Sequence, residues 1–253
     1  MLVDTHLHLS EESDVEIKKI ISRAKNDGVE ILILGGTNKN DNVDNINICN
    51  KYDGVFTQVG YHPSELKGIS DSDYNKLEEL IVKNSDVVIA IGEIGLDYYY
   101  GKDDTLLQIE AFEKQLKIAE KYNLPVVIHS RDATCDTINI LKKHNVKGII
   151  HCFSGSLETA LEYINMGYYL GIGGVVTFKN SKLKDVVLNV SLDHIVLETD
   201  SPYLSPDRGQ KNEPKNIKTI AKFIADLKGV SLDYVANVTT NNVKSLFDLN
   251  TKL

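Results

Sequence analysis

Short apolar stretches rich in β-branched residues recur along the whole chain, each bounded by glycine, proline or polar residues. They read LVDTH at 2–6, EILILGG at 30–36, VFTQVG at 55–60 and VVIAIGEIG at 87–95, then PVVIHS at 125–130, GIIHCFSG at 148–155, YYLGIGG at 168–174 and HIVLETD at 194–200. Runs of this length and flanking predict strands. Between them the apolar spacing becomes helical. VEIKKIISRAKNDG sets Val15, Ile17, Ile20, Ile21 and Ala24 on one side and stops at Gly28, and LLQIEAFEKQLKIAEKYNLP does the same with Ile109, Phe112, Leu116 and Ala119 before Pro125. SLETALEYINMG, NIKTIAKFIADLKG and SLDYVANVTTNNVKSLF are further helical segments. Eight strand–helix units without a linker or low-complexity tract predict an α/β protein, a single-domain (β/α)8 TIM barrel over residues 1–253. The last segment, about 231–247, is an extra C-terminal helix on the outer ring. A doubly wound open sheet is the rival fold, but no GxGxxG loop follows the first strand.

Composition narrows the class. In 253 residues, 42% hydrophobic and 25% charged is ordinary globular usage, enough to bury a full core. No apolar run approaches the roughly 18 residues of a membrane helix, and the start lacks the basic-then-apolar pattern of a secretory signal. The three cysteines, Cys49, Cys135 and Cys152, are odd in number and lack CxxC spacing, which suits a reducing compartment and a cytoplasmic location. A net charge of −8 argues against a protein that coats nucleic acid, though not against an enzyme that grips a few phosphates through bound cations.

The chemistry-bearing residues fall at one end of the predicted strands. The opening MLVDTHLHLS alternates, so His6 and His8 share a face of strand 1. His62 follows strand 3 in GYHP, Glu93 ends strand 4, His129 ends strand 5, His151 ends strand 6 and Asp200 ends strand 8. Five of the seven histidines therefore converge on the carboxyl ends of the strands, where barrel enzymes carry their sites. Four imidazoles and two carboxylates exceed the needs of one ion and suit two, about 3.5–4 Å apart. His6, His8 and Asp200 are assigned to one ion, His129 and His151 to the other, and Glu93 to the bridge between them.

Other residues carry weaker readings. His144 sits near a helix end and reads as structural; His194 precedes strand 8, at the wrong end for chemistry. Cys152 reads as a buried core thiol, pointing away from the face of His151. Asp4 and Glu198 either orient a ligand or are satisfied buried acids. His62 contacts substrate, reaches a third ion or holds its loop. Tyr98, Tyr99 and Tyr100 form either a packed lid or a base-stacking surface. Arg131, two residues after His129 and of the same parity, is placed to clamp a phosphate, with a surface ion pair as its alternative. Arg208 and Lys211 are further phosphate candidates.

Taken in order, DTHLH, GYHP, GEIGLDYYY, QLKIAEKYNLPVVIHSRDA, HCFSG, GGVVTFKN and ETDSPYL resemble the TatD family of metal-dependent deoxyribonucleases, within the amidohydrolase-like barrels. The likeness runs from DTHLH to NEP. It implies a two-ion site whose ligands fall on His6, His8, Glu93, His129, His151 and Asp200. It also implies hydrolysis of DNA phosphodiesters, typically 3′→5′ exonucleolytic, in repair or fragmentation. One departure is LSPDRGQKNEP, a little short for this family between Pro206 and Arg208.

The expected reaction has Asp200 holding and deprotonating a water whose pKa two divalent ions lower, with Glu93 between them. Zinc, manganese, iron or nickel suits the imidazole-rich set, and magnesium can support turnover. DNA is the expected partner, with neither a membrane nor an obligate protein partner. The alternatives are an amidohydrolase cleaving an amide or ester on the same binuclear site, and a binding protein that has lost catalysis. A glutamate on strand 4, where many binuclear amidohydrolases place a carboxylated lysine, favours the nuclease.

Overall fold

The computed structural model describes residues 1–101 and 103–249. Residues 102 and 250–253 of the expected 1–253 domain lie outside the described residues. The strands are β1 (Leu2–Leu7), β2 (Val29–Gly35), β3 (Val55–Val59), β4 (Val88–Asp97), β5 (Val126–Arg131), β6 (Gly148–Ile150), β7 (Tyr169–Ile172) and β8 (Ile195–Leu197). They form one eight-stranded sheet in the order β1 to β8, and every predicted strand segment overlaps one of them. Nine helices lie in the described residues: α1 (Asp14–Asn26), α2 (Lys39–Cys49), α3 (Asp71–Lys83), α4 (Thr105–Tyr122), α5 (Thr134–Leu141), α6 (Leu157–Asn165), α7 (Leu183–Asn189), α8 (Ile217–Lys228) and α9 (Leu232–Leu246). The predicted C-terminal helix is α9. None of the described helices is long and apolar enough to cross a membrane.

The chain packs as two compact units, Met1–Leu34 with Cys152–Leu253, and Gly35–His151. In the first, β1 pairs with β2 (Val3↔Ile31, Asp4↔Leu32) and β7 with β8 (Gly171↔Val196). The segment after β8 runs on beside β1. Asp200 N donates to His6 O at 2.9 Å, His8 N to Ser201 O at 2.8 Å, and Leu7 bridges Ser201. The first and last strands of the order are thus neighbours, and this junction carries three candidate ligands.

Helix α1 shows how the sequence builds the outer elements. Ser13 caps it by accepting from Glu16 N, acids stand in its first turn, and Arg23 and Lys25 stand in its last. Ile17, Ile20, Ile21 and Ala24 are buried as one stripe. Val15 was expected on that face but is 66% exposed. At about 100° per residue it lies some 200° from Ile17, outside the stripe.

In the second unit β4 is the spine, pairing with β3 (Gln58↔Ala90) and β5 (Gly95↔His129, Asp97↔Arg131). Gly95 has a φ of +141°, and a Cβ there would lie 2.0 Å from His129 O. Only glycine lets β4 pass this close to the strand that delivers His129. Helix α4 grips the carboxyl ends of β3 and β4 with two buried glutamines seven residues apart. Gln108 accepts from Asp97 N (2.8 Å) and donates to Asp97 O (2.9 Å). Gln115 does the same with Tyr61 N (2.7 Å) and Tyr61 O (3.1 Å). Each amide satisfies a backbone donor and acceptor that would otherwise be buried unpaired.

Candidate metal centre

The first cluster stands on β1 and the segment after β8. His6 is fully buried, His8 largely so, and their Nε2 atoms are 3.2 Å apart. Asp200 Oδ1 lies 3.5 Å from His8 Nε2. The spacing has a chemical meaning. Donors at adjacent corners of a tetrahedron stand about 3.3–3.5 Å apart around an ion bound at about 2.0–2.1 Å. One oxygen and two nitrogens at these separations fit a divalent ion with borderline ligand preference. Asp200 itself has a φ of +54°, and its N–H bond to His6 O holds it in that left-handed conformation.

Asp4 does not touch a ligand ring. It accepts from His6 N (3.3 Å), Thr199 N (2.9 Å) and Thr199 Oγ1 (2.5 Å), tying the chain that carries His6 and His8 to the chain that carries Asp200. Burial pushes its carboxyl up to about 8, against the opposing pull of the Thr199 bonds. Glu198 accepts from Cys152 N at 2.6 Å and so holds the turn after β6. Cys152 was expected as a buried core thiol. It is only half-buried, because its backbone turns through a φ of +47° instead of continuing a strand. Asn212 was not singled out in the sequence, although it lies in the NEP stretch. It donates to Thr199 O (2.8 Å) and Tyr203 O (2.7 Å), pinning the final loop against the Asp200 segment.

The second cluster stands on β3 to β6. Glu93 is buried, and its Oε1 is approached by three imidazoles: His129 Nδ1 at 2.8 Å, His62 Nε2 at 3.6 Å and His151 Nε2 at 3.8 Å. His129 Nε2 meets Asp97 Oδ2 at 3.0 Å, so both of its nitrogens face carboxylates. Burial alone would lower the His129 pKa, but Asp97 and Glu93 overcome it and raise it to about 9. Asp97 is held below the usual carboxylate range by His129 despite its own burial. His62 goes the other way. Burial outweighs the attraction of Glu93 and lowers it to about 4, leaving the neutral imidazole that a metal requires. Its ring packs edge-on to His129 (4.4 Å between centroids), and its Nδ1 accepts from Ser64 N at 3.1 Å.

His62, left open between substrate, ion and loop, therefore sits among the Glu93 ligand candidates while capping the short turn at 63–65. Asp97 is the residue that sequence reasoning passed over. The signal was there: it lies four residues after Glu93 on one strand and so on the same face.

The basic candidates divide. Arg131 is exposed, makes no ion pair among the described residues, and lies over the Tyr99 ring at 3.5 Å. Arg208 lies over Phe178 at 4.5 Å. Lys211 is paired with Glu12. His144 contacts Glu120 at 3.3 Å, and His194 ends a turn before β8.

Residues 3–248 match the family described as TatD related DNase. The chain belongs to the TatD family. Among its TatD-type relatives, the uncharacterized metal-dependent hydrolase YabD of Bacillus subtilis (strain 168) is 40% identical, over 99% of this chain and all of that protein. The uncharacterized metal-dependent hydrolase YcfH of Escherichia coli (strain K12) is 34% identical over 98% of this chain and 96% of that one. The crystal structure of YjjV, a TatD homologue from Escherichia coli K12, superposes with a TM-score of 0.91 at 30% identity, covering 98% of each chain. A TatD family hydrolase from Entamoeba histolytica gives 0.88 at 25% identity over 97% of each. This TatD-family protein is thus a (β/α)8 barrel and a metal-dependent hydrolase, with several His, Asp and Glu groups able to hold a metal.

Proposed function

We propose that this protein hydrolyses phosphodiester bonds of DNA, releasing nucleotides from the 3′ end, with two divalent ions. His6, His8 and Asp200 hold one ion, His129 and His151 the other, and Glu93 is the carboxylate they share. The observation that carries the reading is the donor set itself. His8 Nε2 stands near tetrahedral-edge spacing from both His6 Nε2 and Asp200 Oδ1, and a second carboxylate gathers three further imidazoles. When bound, such ions supply a water of lowered pKa and neutralise charge on the phosphate and the departing oxygen.

The chain's own residues do the rest. Asp200, largely screened from solvent, holds the attacking water by a carboxylate oxygen and takes its proton. Asp97 fixes the His129 ring from behind and makes it a better ligand. Asp4 keeps Asp200 in register with His6 and His8 through backbone bonds. Arg131 offers a planar guanidinium, in no ion pair among the described residues, to a phosphate of the strand. Membership of a family described as TatD related DNase supports DNA as the substrate.

The test is an assay of metal-stripped protein resupplied singly with zinc, manganese, nickel, iron or magnesium. Linear DNA labelled at the 3′ or 5′ end is offered beside a panel of amides and esters. Metal-dependent loss of the 3′ label first is the expected result. Turnover of an amide or ester with DNA untouched would replace this reading with the amidohydrolase one.

A further inference from the structure

The tyrosine run after β4 is unused by the reaction chemistry, and it lies beside Arg131. After β4 the chain runs Tyr98-Tyr99-Tyr100. Tyr98 is buried and donates to Asp136 Oδ2 at 2.9 Å, so it is packed as a structural residue. Its neighbours are not: Tyr99 is 55% exposed and Tyr100 is 84% exposed, with their rings edge to face at 4.9 Å. Arg131 lies over Tyr99, its guanidinium carbon 3.5 Å from the ring centroid and 5.6 Å from that of Tyr100. Two exposed aromatic rings, one of them covered on a face by a guanidinium, thus form one surface.

That surface is tied to the site by a single carboxylate. Asp97 Oδ1 accepts from Tyr99 N at 2.9 Å while Asp97 Oδ2 meets His129 Nε2 at 3.0 Å. From the other strand, Tyr98 N donates to Arg131 O at 2.9 Å, and Arg131 follows His129 by two residues on the same face of β5. The same side chain that fixes a ligand ring therefore fixes the position of Tyr99. We propose that Tyr99, Tyr100 and Arg131 form a stacking platform for an unpaired nucleobase of the DNA strand being cut, next to the scissile phosphate.

The chemistry chooses the occupant. An aromatic ring or a guanidinium plane attracts a flat π-face, and every base has one, so the platform selects for unstacked bases rather than for sequence. The N–H edge of Arg131, which makes no ion pair among the described residues, suits the phosphate that follows such a base. A paired base keeps its faces against its neighbours and cannot use the platform without being unstacked. This inference rests on the phosphodiester reading, and its test separates the two.

Two single strands are compared, identical except that one carries abasic residues at the two positions nearest the 3′ end. Binding to metal-loaded enzyme is measured by anisotropy on phosphorothioate-linked versions, and KM and kcat on the natural ones. The wild-type enzyme is expected to favour the base-bearing strand about ten-fold, chiefly in Kd and KM. The preference falls to near one in the Tyr99→Ala/Tyr100→Ala variant and is kept when both are changed to Phe. Arg131→Lys, which keeps the charge and loses the plane, lowers it partway. A wild-type ratio near one, or a ratio unchanged by the double alanine substitution, overturns the platform. If no metal supports cleavage of either strand, the phosphodiester reading fails, and the binding ratio still decides whether the platform takes a base.

Discussion

The two histidine clusters use the same side-chain types and hold them in opposite ways. At β1 and the segment after β8, ring faces ring: the Nε2 atoms of His6 and His8 stand 3.2 Å apart, and backbone bonds from Asp4 and Asp200 set their positions. At β4 and β5, ring faces carboxylate: His129 lies between Glu93 and Asp97. The first cluster gathers donors at the spacing of a metal's coordination sphere. The second is balanced without a metal, because a proton on His129 satisfies both acids. A cation entering there displaces that proton, so the two clusters should differ in how metal binding depends on pH.

The harshest way to break the comparison is to remove the carboxylate that three imidazoles face. Glu93→Gln should cut metal-dependent turnover by well over a hundred-fold, since even residues behind the ligands are typically worth 10- to 100-fold. Asp200→Asn should do the same from the other cluster. Both are checked by steady-state rates with metal in excess, alongside circular dichroism to confirm folding. Retained turnover in either variant would show that its cluster is not part of the site.

Asp97→Asn is the sharper test, because Asp97 acts through His129. It should weaken metal affinity by about 10- to 100-fold while leaving kcat at saturating metal largely recovered. Asp4→Asn, the corresponding change behind the first cluster, should be milder. Asp4 carries a raised pKa and bonds backbone rather than a ring, and an amide keeps one of its acceptor positions. Metal titrations of the two variants would expose the asymmetry, and equal losses would erase it.

The pH signature follows from the shifts. His129 titrates near 9 in the folded metal-free protein, above its ordinary value of 6.5. Its contribution to stability is complete below about 6.5 and disappears as the pH climbs through 9. Asp4 is raised from 3.8 to about 8, so the folded state binds the extra proton between those values, and stability from this group also declines as pH rises. Metal-free protein should therefore lose thermal stability from pH 6.5 to 9.5. Asp4→Asn should flatten the earlier part of that decline and leave the later part. Calorimetry at pH 8 in buffers of different ionisation enthalpy should register a proton released as metal binds. No release would mean that His129 is not displaced from its carboxylates.

Much of this arrangement is legible in the chain, and what is not has a physical cause. The strands announce themselves because their apolar runs are short and flanked by glycine, and four of the six proposed ligands lie within or next to those runs as histidines. Helix α2 shows what hides. Its inward positions 42, 45, 46 and 49 keep helical spacing, yet two are asparagines that bond backbone: Asn42 to Gly60 N and O, and Asn45 to Gly35 O. A stripe made of amides does not look like a buried face. Asp97 was hidden differently: it reads as the polar end of a strand until its bond to His129 is seen. The TatD-like motif order pointed to the family, whereas strand parity could place Asp97 on the face of Glu93 without showing that it meets the His129 ring.

The smallest effects concern the glutamines that carry the second cluster's loops. Gln108 and Gln115 sit on one face of α4, each pairing with both backbone polar groups of a single residue, Asp97 or Tyr61. Replacing either with alanine strands a buried N–H and a buried C=O, at a cost of about 1–3 kcal/mol in a urea titration. The two substitutions should then part company. Loosening Asp97 slackens the hold on His129, so Gln108→Ala should also weaken metal binding, in the direction of Asp97→Asn but by less. Loosening Tyr61 moves only the turn that His62 caps, so Gln115→Ala should spare metal affinity and lower stability alone. The β1 cluster belongs to the other compact unit, and its first equivalent of metal should bind both variants as it binds the wild type. Weakened binding of that equivalent in both variants would mean that the two clusters are held by one shared framework.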